Sequence, residues 1–120
     1  MKTSYFAKSK NNPNAVVITS GKPRWYKGKW YAKLAPPKEL VISYKKGEIN
    51  EEQYTEIYLK CIKDRNLTPQ EVLNDLGNDA ILLCYEGKGK FCHRHIAAEW
   101  LRGGGVEIAE LEDETEDGFL

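Results

Sequence analysis

Cys92, His93, Arg94 and His95 stand consecutively in this chain, and their types give the stretch its chemical interest. An apolar run from Ala80 to Tyr85 comes before them, then Glu86 and the turn-rich Gly87-Lys88-Gly89-Lys90-Phe91. Ile96, Ala97, Trp100 and Leu101 follow at helical spacing and stop at Gly103-Gly104-Gly105. A strand, a glycine loop and a helix in that order place Cys92 and Arg94 at a helix N-terminus beside a strand's carboxyl end, where open α/β sheets bind ligands. Unpaired N–H groups and the helix dipole favour an anion there and lower a thiol's pKa.

Each residue has a chemical and a structural reading. Cys92 is a candidate nucleophile, or a small side chain packing the strand–helix junction. Arg94 is a candidate arm for phosphate or carboxylate, or half of an internal ion pair with Glu86 or another acid. Glu86 can orient His93 or Arg94, receive a ribose hydroxyl or work as a general base. His93 can handle the proton. His93 and His95 with Cys84 and Cys92 raise the question of zinc. No recognised ligand spacing is present, and neighbouring helical residues diverge, so neither a metal nor any other cofactor is expected.

A second cluster runs from Lys22 to Tyr31, with Arg24, Trp25, Tyr26, Lys27, Lys29 and Trp30 between them. Aromatics interleaved with cations suit base stacking and phosphate contact. They equally suit a hairpin or lid covering the sheet edge. Folded over the Cys92 loop, the segment would complete one pocket. Lys22, Arg24, Trp25, Tyr26 and Trp30 are therefore candidate ligand-binding residues beside Arg94.

The elements that position these residues read as a single α/β domain over 1–111, followed by an acidic tail over 112–120. Strands are expected near residues 3, 15, 80 and 106, giving a mostly parallel four-stranded sheet with helices on both faces. Asn50 with Gln53, and Thr68 with Pro69 and Glu71, mark two helix starts. Tyr54, Tyr58 and Cys61 are core by spacing.

The chain has 120 residues, 41% of them hydrophobic and 30% charged, as in a globular protein with one core. Its formal net charge is zero, yet residues 1–47 carry ten lysines and one arginine against Glu39 alone. That asymmetry fits an anionic partner, or two parts of one domain that complement each other. No apolar run approaches a membrane span, and the opening residues lack a secretory apolar region. Three cysteines make no framework, so free thiols in a cytoplasmic setting are expected.

Leu82 to Glu86 and Phe91 to Leu101 resemble the family called domain of unknown function 488. That family carries a Cys-Glu pair, or a close variant, at a strand end and Cys-His-Arg at the next helix start. Thr3 to Ala7, Asn12 to Val16, Gly21 to Gly28 and Leu34-Ala35-Pro36 extend the resemblance over roughly residues 3–111. The resemblance implies a compact α/β domain with Glu86, Cys92, His93 and Arg94 as signature positions. It implies no activity. The Gly-His-Ser turn and the Asp-Val-Arg segment of longer members are missing, so their roles do not carry over. The residues leave three functions open: binding of an anionic, nucleotide-like small molecule, thiol-dependent catalysis by Cys92 in the same pocket, or service to nucleic acid. No membrane partner is expected.

Overall fold

In the computed structural model, which describes residues 1–22, 24–87 and 90–111, the chain alternates strands and helices around a parallel sheet. The strands are β1 (Lys2–Tyr5), β2 (Ala15–Val17), β3 (Lys29–Trp30), β4 (Ile81–Cys84) and β5 (Ala109–Glu110). They lie in the order β3-β2-β4-β1-β5, all pairs parallel. The sheet thus has five strands where four were expected. The additional one, β3, is a two-residue edge strand inside the aromatic-cationic segment. No hairpin forms within that segment among the described residues: Arg24 to Gly28 contribute no strand, and β3 pairs in parallel with β2. The acidic tail over 112–120 lies outside the described residues, as do Pro23, Lys88 and Gly89.

The helices are α1 (Phe6–Ser9), α2 (Lys38–Lys45), α3 (Glu51–Asp64), α4 (Pro69–Leu76) and α5 (His93–Gly103). Side chains alternate along each strand, so Val16 and Leu82 face one side and Val17 and Leu83 the other. The first side carries the main core, where Tyr54, Tyr58, Ile62, Val72, Ala97 and Leu101 of α3, α4 and α5 pack against Val16 and Leu82. On the second side Phe6 of α1 and Tyr26 close over Ala15, Val17, Ile81 and Leu83. Helices therefore lie on both faces, the second covered by the single turn of α1 and a loop. Among the described residues no helix is long and apolar enough to cross a membrane.

The helix ends follow from their sequences. Asn50 caps α3 in a full capping box with Gln53, and the Thr68 hydroxyl accepts the Glu71 N–H at the start of α4. Gly104 closes α5 for a packing reason. A Cβ there would come within 2.3 Å of the Pro69 ring, so the backbone can lie against α4 only without a side chain.

After β2 the chain moves outward to β3, and after β4 it moves the opposite way, through α5 and past β1, to β5. The carboxyl ends of β2 and β4 are therefore the topological switch point, where crevices form in open parallel sheets. Gly104→Ala should destabilise the fold by about 1–3 kcal/mol in urea denaturation, as overpacking does. Gly103→Ala, whose added Cβ would meet nothing within 4 Å, should be neutral or slightly stabilising.

Candidate functional site

A cavity of about 130 Å³ opens at the switch point. Thr19 and Ser20 beyond β2 and Tyr85 and Glu86 beyond β4 form its base, with Cys92 and His93 at the start of α5. Tyr44 and Lys45 of α2, Tyr54 of α3 and Phe91 form the facing wall. Tyr44, Tyr54 and Phe91 pack on one another with ring centroids 5.0–5.6 Å apart, a distance range proper to aromatic clusters. Burial and the nearby Glu86 charge push the Tyr54 phenol above its ordinary value, so it stays protonated.

Cys92 is the N-cap of α5, in extended conformation. The next residue, His93, is buried, and its Nε2 lies 2.7 Å from the Ile18 carbonyl. A carbonyl only accepts, so Nε2 carries the proton. Burial, aided by the Arg94 charge and opposed by the bond to Ile18, brings the His93 pKa down to about 4. The ring is therefore neutral at pH 7 and Nδ1 is bare. That bare nitrogen stands 3.7 Å from the Cys92 sulfur. Tyr58 braces the ring edge-on at 5.7 Å and is itself fixed by donating its hydroxyl to Leu34. His95 is exposed on the other side of the helix.

Arg94 is 0% exposed and is not part of the cavity wall. Nε and Nη2 reach the two Glu110 carboxylate oxygens at 3.2 and 2.9 Å. Nη1 donates to the Cys84 sulfur at 2.9 Å and to the Glu86 carbonyl; Nη2 also donates to the Gly87 carbonyl at 3.3 Å. The group lies 5.6 Å above the Tyr5 ring. Five N–H groups thus meet five acceptors, and none is left for a ligand. Desolvation pushes the Glu110 carboxyl up, but hydrogen bonds from Arg94 and Thr3 outweigh it and hold the group below its ordinary value.

The structure brings Glu86, Cys92 and His93 to one cavity. It sets Arg94 behind them as a staple whose acid is Glu110, with Glu86 contributing only its backbone carbonyl. Lys22, Arg24, Trp25, Tyr26 and Trp30 are not in the wall of this cavity. Tyr26 is buried on the second face, Lys22 donates to the Tyr26 carbonyl, and Trp30 donates to the Thr19 carbonyl. The lid that would have completed one pocket is replaced by α2 and α3, because the Tyr26 side chain goes to the α1 side of the sheet.

The expectation of free thiols holds only for Cys61. Cys84 and Cys92 are bonded to each other across the strand–helix junction. The Cys84 and Cys92 sulfurs and a Glu86 carboxylate oxygen lie within 4.8 Å of one another, the one such group with metal-ligand types among the described residues. With the bond reduced, these three could approach a cation. The Arg94 guanidinium on the Cys84 sulfur puts a buried positive charge where that cation would sit, so the set fits a metal poorly.

Glu110 and the aromatic wall were missed in the sequence. Glu110 falls on the period-two face of Ile108, and an inward acid on an edge strand calls for a buried cation partner. Tyr54 reads as core by spacing, and does pack in the core while its ring borders the cavity.

A family model described as the active DUF488-N3 subclade matches residues 7–105. The chain belongs to the DUF488 family. No curated protein matches it, and no solved structure does. The DUF488 match takes in Cys84, Glu86, Cys92, His93 and Arg94 and ends before Glu110.

The His93 ring makes stability depend on pH with a definite sign. Above its ordinary value of 6.5 neither folded nor unfolded chain binds a proton there. Below 6.5 the unfolded chain takes up a proton that the folded chain refuses until about 4, so stability falls across that window. The loss should be on the order of 3 kcal/mol between the two values. Urea denaturation at pH 7 and at pH 4.5 should show a smaller drop for His93→Gln, which can still donate to Ile18.

Proposed function

We propose that this DUF488 domain is a thiol-dependent enzyme in which reduced Cys92 attacks a small, flat electrophile held in the switch-point cavity. The observation that carries the reading is the placement of Cys92. Cys92 lines the cavity and caps the N-terminus of an eleven-residue helix, and the bare Nδ1 of His93 stands 3.7 Å from its sulfur. A helix N-terminus favours thiolate over thiol, and Nδ1 can accept the S–H hydrogen. Glu86, at the cavity edge, is the second proton-handling group. The description of the matching family model as active points the same way.

The cavity bounds the substrate. Its volume of about 130 Å³ is well under the roughly 300–1,000 Å³ of sites that enclose a drug-sized ligand. It accepts one ring-sized group against Tyr44, Tyr54 and Phe91, with the remainder outside near Lys45. A nucleotide-like molecule would place its base or sugar here, but Arg94 has no donor to offer its phosphate. Chemistry at Cys92 is therefore favoured over simple retention of an anion.

After reduction, a time course with an aryl maleimide should label Cys92 on the order of tenfold faster than Cys61, as an activated thiolate requires. Tyr54→Ala should slow Cys92 and leave Cys61 alone. Equal labelling of the two cysteines, read by peptide mass mapping, would sink the reading.

A second reading has its own observation. At the other end of the sheet a groove of Lys10, Asn11, Asn12, Trp25, Lys27 and Lys29 contains no acid among its described lining residues. Trp25 is 60% exposed, with the Lys10 ammonium 5.4 Å above its ring. Exposed tryptophan among lysines fits single-stranded nucleic acid. Binding of a short single strand should then weaken steeply with salt, and each lysine changed to alanine should reduce the log–log slope by about 0.7. A slope unchanged in Lys27→Ala and Lys29→Ala would leave the groove as solvated surface.

A further inference from the structure

We infer that the electrophile is sulfur: Cys84 and Cys92 work as a dithiol pair that reduces a small disulfide. The inference rests on the reading of Cys92 as nucleophile and adds its chemical partner.

The two bonded sulfurs have unlike surroundings. Cys92, 4% exposed, borders the cavity. Cys84 is 0% exposed at the end of β4 and is absent from the cavity wall. A molecule entering the cavity therefore meets Cys92 before Cys84. Arg94 Nη1 donates to the Cys84 sulfur at 2.9 Å, and the guanidinium is held there by Glu110 and two backbone carbonyls. A fixed cation on a sulfur stabilises its thiolate, and a thiol of lower pKa is the better leaving group in exchange. The pair is thus polarised. Bonds are made and broken at Cys92 from the cavity, while Cys84 holds the negative charge.

The cycle balances. Cys92 sulfur attacks one sulfur of a substrate R–S–S–R, forming Cys92–S–S–R and expelling RS⁻, which leaves as RSH with the Cys92 proton. Cys84 sulfur then attacks the Cys92 sulfur, forming the Cys84–Cys92 bond seen in the structure and expelling the second RS⁻ with the Cys84 proton. Two electrons pass from the protein to the substrate. A small-molecule dithiol attacking Cys92 from the cavity restores the pair, with Cys84 as the departing thiolate. An electrophilic carbon would make no use of the second sulfur. An acyl group on Cys92 leaves with water and an alkyl group stays as a thioether, so in either case a buried thiolate beside Cys92 would have no step to perform.

The test uses the reduced full chain with hydroxyethyl disulfide, followed by intact and peptide mass. Wild type should pass through a hydroxyethylthio adduct on Cys92 and end as the Cys84–Cys92 disulfide, with both halves of the reagent released as thiol. Cys84→Ser should stop at the adduct on Cys92. Arg94→Lys, checked for folding by circular dichroism, should form the adduct normally and resolve it more slowly, on the order of tenfold. A wild-type adduct that persists on a reactive Cys92 would overturn the dithiol inference and leave the nucleophile standing. If Cys92 reacts no faster than Cys61, both fall. One tightly bound zinc per reduced chain, lost in Cys84→Ser, would also overturn the dithiol inference.

Discussion

Arg94 is the constraint on which the site depends. A guanidinium without access to water must find an acceptor for every N–H, since each unsatisfied donor costs about 1–3 kcal/mol or more when charged. Its acceptors come from the end of β4, from the loop after it and from the edge strand β5. Satisfying one side chain therefore fixes three separate pieces of chain against the first turn of α5. The orientation of that turn sets where Cys92 faces and where the His93 ring lies. Breaking such an arrangement by removing one partner leaves a buried charge uncompensated, which is far worse than never having buried it.

The same fixed turn determines the chemistry available to His93. Because the ring is clamped to Ile18 through Nε2, only Nδ1 can face Cys92. Because the ring is buried beside Arg94, it stays neutral, so it accepts a hydrogen bond from a thiol without forming a stable imidazolium. The positive charge that would stabilise thiolate is instead Arg94, and it acts on Cys84. The two sulfurs thus have different supports: a neutral acceptor for one, a cation for the other. Arg94 stays out of the cavity wall while His93 borders it, and the facing wall is largely aromatic, so substrate selection falls to shape and stacking.

What could be read from the sequence was local. Asn50 with Gln53 and Thr68 with Pro69 announce α3 and α4 because caps are written in neighbouring residues. Cys92 at a helix start follows from an apolar run, glycines and a helical period. The partner of Arg94 was not legible: Glu86 is eight residues away and Glu110 sixteen, and only the crossover to β5 decides between them. The side of the sheet taken by Tyr26 was equally hidden. A loop carries no periodicity, so nothing local says that the ring descends onto Phe6 rather than over Cys92. Adjacency of Cys84 and Cys92 depends on how the loop between them folds, which spacing alone does not set.

The charge asymmetry shows the same division between what composition states and what geometry decides. Part of the basic excess in the first residues is met within the fold. Lys33 reaches Glu71 at 2.8 Å and Asp75 at 3.1 Å on α4, and Tyr31 donates to the same Asp75. These pairs are exposed and contribute little stability singly, but they place acid from the second half of the chain against base from the first. Lys10, Lys27 and Lys29 have a different setting, beside Trp25 in a groove at the amino end of β2. The cavity with Cys92 is at the carboxyl end of the same strand, beyond Ile18. A parallel sheet separates its two ends by the length of its strands, so cation and thiol do not combine into one anion site here. The Phe6 ring stands between the two features, 5.6 Å from Trp25 of the groove and 5.4 Å from Tyr85 of the cavity wall, so they meet through aromatic packing and not by sharing charge.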